Sequence, residues 1–131
     1  MGKDQPKQEF KFGLYQGQVY EAQDLNGKAD PFVQVKAIET DGSHSKVLFK
    51  STVKKATLTP AWNEYGKIKV KDYVNDLIVE LYDEDLLKND FIGRQVINMG
   101  RVRSGIFDEL IKFEDDKNCV KGTVRIKIER N

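Results

Sequence analysis

Cysteine and histidine are almost missing from this chain of 131 residues, which contains one of each, Cys119 and His44. A single cysteine excludes an internal disulfide. One cysteine and one histidine also cannot supply the four ligands of a structural zinc site. Because the sequence lacks both a disulfide framework and an apolar signal region, we expect the protein to be cytoplasmic.

The sequence has no excess of charge of either sign, since 22 basic and 21 acidic residues leave a formal net charge of +1. This balance argues against a protein that coats nucleic acid, which needs a strongly basic surface. The longest apolar runs are far shorter than the roughly 18 residues of a membrane-spanning helix. We therefore expect no nucleic-acid partner, and any electrostatic function must depend on local segregation of charge.

Apolar and polar residues alternate with a period of two through much of the chain. The alternation is clear in residues 33–37, 68–70 and 124–128, whereas residues 77–82 are almost continuously apolar. A period of two is typical of half-buried strands, and a short apolar run is typical of a central strand covered on both faces. The pattern predicts an all-β, eight-stranded antiparallel β-sandwich, with strands near 10–22, 31–39, 45–55, 63–70, 76–83, 91–98, 110–114 and 122–129.

The chain length is typical of one domain. We expect residues 10–131 to form it, as a monomer, after a flexible lead-in over residues 1–9. Residues 105–110 are the one segment for which we predict a helical turn, with Ser104 as its cap.

Clustered carboxylates indicate where the function lies. If the strands alternate in direction, the loops at 24–30, 57–63 and 83–90 share one end of the sandwich, and the first and third loops are rich in aspartate. Like charges at such short range repel one another unless a cation balances them. Oxygen ligands on flexible loops, without histidine or cysteine, suit calcium better than magnesium. The alternative is that these residues are ordinary turn formers in solvated loops.

The spacing of these acidic residues is not that of an EF-hand. Counting from Asp83, Lys88 stands where the loop glycine belongs and Arg94 stands where the bidentate glutamate belongs. Alternation along the chain directs Asp83 and Asp85 to the same side and Glu84 away from them. We therefore expect Glu84 to contribute at most its backbone carbonyl.

Four segments, in this order along the chain, resemble the successive signatures of a C2 domain. They are Asp24-Leu25-Asn26-Gly27-Lys28-Ala29-Asp30-Pro31-Phe32-Val33, Thr57-Leu58-Thr59-Pro60-Ala61-Trp62-Asn63-Glu64, Tyr82-Asp83-Glu84-Asp85 and Asn89-Asp90-Phe91-Ile92-Gly93. C2 domains are the calcium-dependent phospholipid-binding modules of conventional protein kinase C and the synaptotagmins. The resemblance covers residues 10–130, and the strands at the two ends of the chain resemble the type II strand order.

The resemblance implies that two or three calcium ions bind between the loops and anionic lipid headgroups. Its implied metal ligands are Asp24, Asp30, Asp83, Asp85 and Asp90, with the backbone carbonyls of Leu25 and Glu84 as further candidates. The first and third loops are both shorter than is usual in the family. Asp24 therefore corresponds either to the remaining ligand or to a polar residue ahead of the loop.

Two further groups of residues are candidates for membrane contact. Leu86 and Leu87, at the tip of the third loop, either insert into the lipid interface or fold back onto the loop base, and Lys28 and Lys88 are close enough to reach lipid phosphates. The second group is a basic face that either binds phosphoinositides or is a solvated strand surface. Its members are Lys46, Lys50, Lys54, Lys55, Lys67, Lys69 and Lys71.

The sequence therefore predicts a protein that binds anionic phospholipid membranes reversibly, when calcium neutralises the aspartates of the loops. The alternative is a calcium-independent C2-like module that binds proteins or phosphoinositides. An enzyme is disfavoured, because no general base, nucleophile or oxyanion donor accompanies the acidic cluster.

Overall fold

The computed structural model describes residues 5–20 and 28–131. The described residues form eight strands and one short helix, and every strand pair is antiparallel. The elements are β1 (Lys7–Val19), β2 (Pro31–Ile38), β3 (Phe49–Lys50), β4 (Ala61–Lys71), β5 (Asp76–Asp83), β6 (Asp90–Asn98), α1 (Met99–Arg103), β7 (Phe107–Glu114) and β8 (Val120–Arg130). The all-β class and the count of eight strands are confirmed.

The strands form two layers of four, in the orders β3-β2-β5-β6 and β7-β8-β1-β4. In the described chain a single residue pair, Arg94 and Glu114, joins β6 to β7, so the sheet folds over at this point into a sandwich. β1 leads towards the first loop, and β8 closes the layer between β7 and β1. This is the strand order that the two ends of the chain predict.

The core lies between the layers and follows the period-two pattern. Alternate residues of β1, namely Phe10, Phe12 and Leu14, are completely buried. Phe12 and Leu14 lie opposite Ile128 and Ile126 of β8. β5 is buried on both faces from Leu77 to Leu81, as its apolar run predicts. Each large apolar side chain buried in this way stabilises the fold by roughly 1.5–3 kcal/mol.

The strand predicted over 45–55 is wrong for most of its length, since only Phe49 and Lys50 form β3. The segment instead contacts the edge of β2 through every third residue. The N–H groups of residues 45, 48, 51, 54 and 57 donate to the carbonyls of residues 37, 35, 33, 31 and 29. The hydroxyls of Ser45 and Ser51 accept from the N–H groups of Ala37 and Val33, each at 2.9 Å, so side chains replace backbone acceptors.

The helical turn predicted over 105–110 is also wrong. The helix is α1, and its N-cap is Asn98, whose side-chain oxygen accepts from the Gly100 N–H at 2.8 Å. Two apolar residues three apart, Met99 and Val102, bury one side of the helix. Phe107 instead begins β7, because alternate burial of its apolar residues fits a strand.

Two strands begin three residues earlier than the sequence predicts. β1 begins at Lys7, so residues 7–9 of the predicted lead-in are strand residues paired with β4. β7 begins at Phe107 rather than at residue 110. Among the described residues, no helix has the length and apolar character that crossing a membrane requires.

Candidate functional site

Acidic residues from three strand ends meet at one end of the sandwich. Asp30 immediately precedes β2, Asp83 ends β5 and Asp90 begins β6. Asp83 is paired with Pro31 on one side and with Asp90 on the other. Together with Glu84 and Asp85 they line a depression of about 500 Å³, which we call the acidic pocket, and Lys55 and Leu86 complete its lining.

Hydrogen bonds between the loops fix the base of this pocket. The Asp30 N–H donates to Asp83 Oδ1 at 2.8 Å, and the Glu84 N–H donates to the Asp30 carbonyl at 2.9 Å. The carboxylate Oδ1 of Asp30 accepts from the Ala56 N–H at 2.6 Å. Ala56 has a φ of 53°, a left-handed conformation that is uncommon for alanine. Asp30 thus ties the 51–60 segment to β2 and β5.

A lysine at the mouth of the acidic pocket provides a cation from the chain itself. Lys55 Nζ lies 2.6 Å from Glu84 Oε1. The hydrogen bond to Glu84 raises the pKa of Lys55, and the charge of Asp30 acts in the same direction. Both side chains are substantially exposed, so the pair contributes little to the stability of the fold. Its importance is local, because it offsets one negative charge of the pocket.

The tip of the third loop is apolar and projects into solvent. Leu86 is 100% exposed and Leu87 is 97% exposed, so neither side chain folds back onto the loop base. The Leu86 N–H donates to Asp85 Oδ1 at 2.5 Å, which shapes the start of the tip. Lys28 and Lys88 are both exposed as well. Adjacent, fully exposed leucines of this kind are typical of a surface that contacts another molecule.

The donor chemistry of the acidic pocket suits a hard divalent cation, because its ligands would be carboxylate and carbonyl oxygens. Among residues 5–20 and 28–131, however, no three His, Cys, Asp or Glu residues are placed so that they could hold a metal ion. Asp30, Asp83 and Asp85 each direct one carboxylate oxygen to a backbone N–H. Asp24 and Leu25 lie outside the described residues, so their predicted roles stay predictions.

The lysines of the predicted basic face lie in several different places. Lys55 belongs to the acidic pocket, and Lys50 lies over the ring of Phe32 on the β3-β2-β5-β6 layer. Lys67 is exposed on β4, in the opposite layer. Lys54 is half-buried, and its backbone N–H donates to the Pro31 carbonyl. The remaining three, Lys46, Lys69 and Lys71, line a groove on the open edge of the sandwich. The seven lysines are therefore not one face.

A row of aromatic rings, which the sequence patterns above do not predict, lies next to the acidic pocket. Phe32 and Tyr82 are stacked with ring centroids 5.5 Å apart, and Phe91 meets Tyr82 edge-on at 5.8 Å. Lys50 and Arg94 cover the two ends of the row, over Phe32 and Phe91. Burial raises the pKa of Tyr82, and the negative charge of nearby Glu80 adds to the effect. The sequence does indicate this row, because each aromatic residue lies at the loop end of its strand and the three strands, β2, β5 and β6, are neighbours in the sheet.

Comparison with known proteins identifies the family. The model of the C2 domain family matches residues 8–111. The chain belongs to the C2 domain family. A C2 domain-containing protein of Dictyostelium discoideum is 45% identical over 111 residues, which cover 80% of this chain and 57% of that protein. Human extended synaptotagmin-1 is 34% identical over 125 residues, covering 86% of this chain and 10% of that protein.

Solved structures agree with this assignment. This C2 domain matches the paired C2 domains of calcium-bound extended synaptotagmin 2 with a TM-score of 0.75 and 28% identity, covering 95% of this chain and 46% of that chain. A C2 domain of plant extended synaptotagmin 1 has the same fold, with a TM-score of 0.76 and 22% identity over 95% of both chains. The chain spans less than two thirds of the length of the curated relatives that it matches.

Proposed function

We propose that this C2 domain docks reversibly from the cytoplasm onto anionic phospholipid membranes when calcium occupies the acidic pocket. One observation carries the proposal: the exposed leucines Leu86 and Leu87 lie on the loop between Asp83 and Asp90, which supplies most of the lining of the acidic pocket. A bound cation would therefore be held next to the side chains best suited to enter the lipid interface. Asp24 and the carbonyls of Leu25 and Glu84 would add to the ligands.

The electrostatics of the pocket explain why calcium would control docking. Among the described residues of its lining, five acidic residues and one lysine carry a formal charge of −4. This charge repels an anionic leaflet, whose potential attracts basic residues and repels acidic ones. Two or three calcium ions would cancel or reverse it and offer open coordination positions to lipid phosphate oxygens. The described residues that line the pocket include no hydroxyl, thiol or imidazole side chain, which favours docking over catalysis.

The relatives support the same function. The structure of extended synaptotagmin 2 whose paired C2 domains match this chain has calcium bound. Membrane recruitment of this chain by calcium would place it among C2 domains that respond to the ion.

A calcium-independent interaction module is the second candidate, and the Lys55–Glu84 pair favours it. An ammonium 2.6 Å from a pocket carboxylate already supplies part of the positive charge that a metal would bring. In this case the aromatic row with Lys50 and Arg94 would be the binding surface for a protein or a phosphoinositide.

Vesicle sedimentation separates the two candidates. The chain is mixed with vesicles of phosphatidylserine and phosphatidylcholine, with either calcium or a chelator, and with pure phosphatidylcholine vesicles as the control. We expect the chain to pellet only with the anionic vesicles in calcium. Equal pelleting in the chelator would support the calcium-independent module, and no pelleting under any condition would contradict the proposal.

A further inference from the structure

A second concave surface lies on the open edge of the sandwich, away from the acidic pocket. It is a groove of about 700 Å³ between the 45–48 segment and the last third of β4. Its floor is apolar and includes Val70 and Val74, which are both 1% exposed, together with half-buried Leu48. Val47, on its wall, is 40% exposed. We call this surface the edge groove.

The edge groove exists because the two layers contact each other along only part of this edge. We call the part from Phe49 to Thr52, where they are in contact, the upper seam, and the part at residues 45–48 the lower seam. In the upper seam the Trp62 Nε1–H donates to the Thr52 carbonyl at 2.9 Å. Phe49 packs directly on the backbone of Gly66, where an added Cβ would lie 2.8 Å from the ring. Below Phe49, no hydrogen bond links residues 45–48 to β4 in the described chain. The lower seam is therefore open to a ligand.

The rim of the edge groove is strongly basic. Four lysines line it: Lys7, Lys46, Lys69 and Lys71. None of them forms an ion pair with another described residue. Lys7 and Lys71 are directly opposite in the β1–β4 pair, and like charges in such positions destabilise a sheet. The one acidic residue of the lining, Glu39, accepts a hydrogen bond from the Tyr73 hydroxyl at 2.7 Å. The rim is thus complementary to an anionic ligand.

The upper seam already contains a carboxylate that is bound in the way such a ligand would be. Glu64 of β4 accepts from the Thr52 N–H at 2.7 Å and from the Thr52 hydroxyl at 2.8 Å. Because the segment contacts β2 through every third residue, Lys46 and Thr52 occupy equivalent positions of this repeat. The N–H groups of Lys46 and Val47 have no acceptor among the described residues. A carboxylate from outside the chain can therefore take at Lys46 the place that Glu64 takes at Thr52.

The position of the edge groove indicates that its ligand is a protein rather than the membrane. Ala37, on its wall, is six residues along β2 from Pro31, which is paired with Asp83. At about 3.3 Å per residue, the groove lies roughly 20 Å from the acidic pocket. This exceeds the screening length of about 8 Å at physiological salt. When the sandwich stands on its loop end, a membrane that contacts Leu86 and Leu87 does not reach the groove.

We propose that the edge groove binds an extended acidic peptide segment of a partner protein, with alternate carboxylates on the four lysines and apolar side chains on the floor. Addition of an extended peptide to an exposed sheet edge is a common mode of recognition, in which alternate side chains supply specificity. The interaction needs neither calcium nor lipid, so it is tested separately from membrane docking.

The test is a titration of the ¹⁵N-labelled full chain, followed by NMR, without calcium or lipid. The probe is the peptide acetyl-Glu-Val-Glu-Leu-Glu-amide, and the control is the same peptide with glutamine in place of glutamate. We expect the acidic peptide to shift the amide signals of Lys46, Val47 and Val70, with a Kd on the order of 100 µM that weakens as salt is added. The glutamine peptide should leave these signals unchanged.

Paired variants identify the groove as the site. Lys46→Glu with Lys69→Glu should weaken binding about tenfold or more, and the milder Lys46→Gln with Lys69→Gln should have a smaller effect. The matched control, Lys112→Glu with Lys127→Glu on β7 and β8, makes the same change in net charge and should leave the Kd within about twofold.

Three results would overturn the proposal. The first is equal binding of the glutamine peptide or the absence of shifts at the groove. The second is an equal loss of binding in the control pair, which would indicate attraction to net charge alone. The third is that phosphatidylserine vesicles without calcium, but not the peptide, broaden the groove signals, which would make this surface a lipid site.

Discussion

Replacement of both loop leucines, Leu86→Ala with Leu87→Ala, tests how the domain would contact the bilayer. Because the two side chains are 100% and 97% exposed, their removal takes no packing from the fold. The free energy of unfolding should therefore change by less than about 0.5 kcal/mol. Any large change in membrane binding would then be a direct effect on the interface.

The size of the effect follows from the apolar surface that the loop tip offers. Each substitution removes three carbon atoms, and a buried methylene contributes about 0.8 kcal/mol. If between half and all of each leucine side chain enters the lipid interface, the two substitutions together should weaken membrane binding by about 2 to 5 kcal/mol. This corresponds to roughly a 30- to 5,000-fold change in affinity.

Vesicle sedimentation at fixed calcium and at two salt concentrations measures this change. The loss should persist at high salt, because apolar transfer is not screened. Leu110→Ala is the matched control, since Leu110 is a 62% exposed leucine on β7, away from the loop. If the double variant binds like the parent, the leucines do not enter the lipid, and docking would depend on charge alone.

Three further substitutions test other parts of the account. Asp83→Asn keeps an acceptor for the Asp30 N–H but removes a charge, so calcium-dependent sedimentation should be lost with the fold intact; retained sedimentation would exclude Asp83 as a ligand. Lys55→Gln should tighten calcium binding about three- to tenfold in calorimetry, since the ammonium opposes an incoming cation; an unchanged Kd would contradict this. Trp62→Phe loses the hydrogen bond to Thr52 and leaves a cavity, so urea unfolding should show a loss of about 1.5–3 kcal/mol, and a loss below about 0.5 kcal/mol would be evidence against this role.

The parts of the fold that the sequence predicts are those that depend on local alternation. β5 can be predicted because its continuous apolar run must be buried on both faces, and only a central strand is buried on both faces. The meeting of Asp83 and Asp90 follows from the same reading, since the end of one strand lies beside the start of the next. Both predictions require only the period of the apolar residues and the order of the strands along the chain.

The parts that the sequence does not predict depend on contacts between distant segments. The 45–57 segment contains alternating residues, but the hydroxyls of Ser45 and Ser51 accept bonds from β2 and impose a repeat of three. The lysines of the predicted basic face are dispersed because Lys55 faces the acidic pocket and Lys50 lies over Phe32, whereas Lys46, Lys69 and Lys71 meet across the open edge of the sandwich. Lys55 reaches Glu84 across 29 residues of sequence, which no local pattern indicates.

A calorimetric titration of the isolated domain with calcium, together with its Tm, tests most directly the claim that the acidic pocket holds the ion. We expect a Kd between tens of micromolar and millimolar, because the ligands are on loops and no lipid completes the coordination shell. At ten times the Kd, the ion should stabilise the fold by about 1.4 kcal/mol and raise the Tm by about 3–6 °C. A titration without heat and an unchanged Tm at calcium concentrations on the order of several millimolar, above the weakest affinity expected here, would contradict the account.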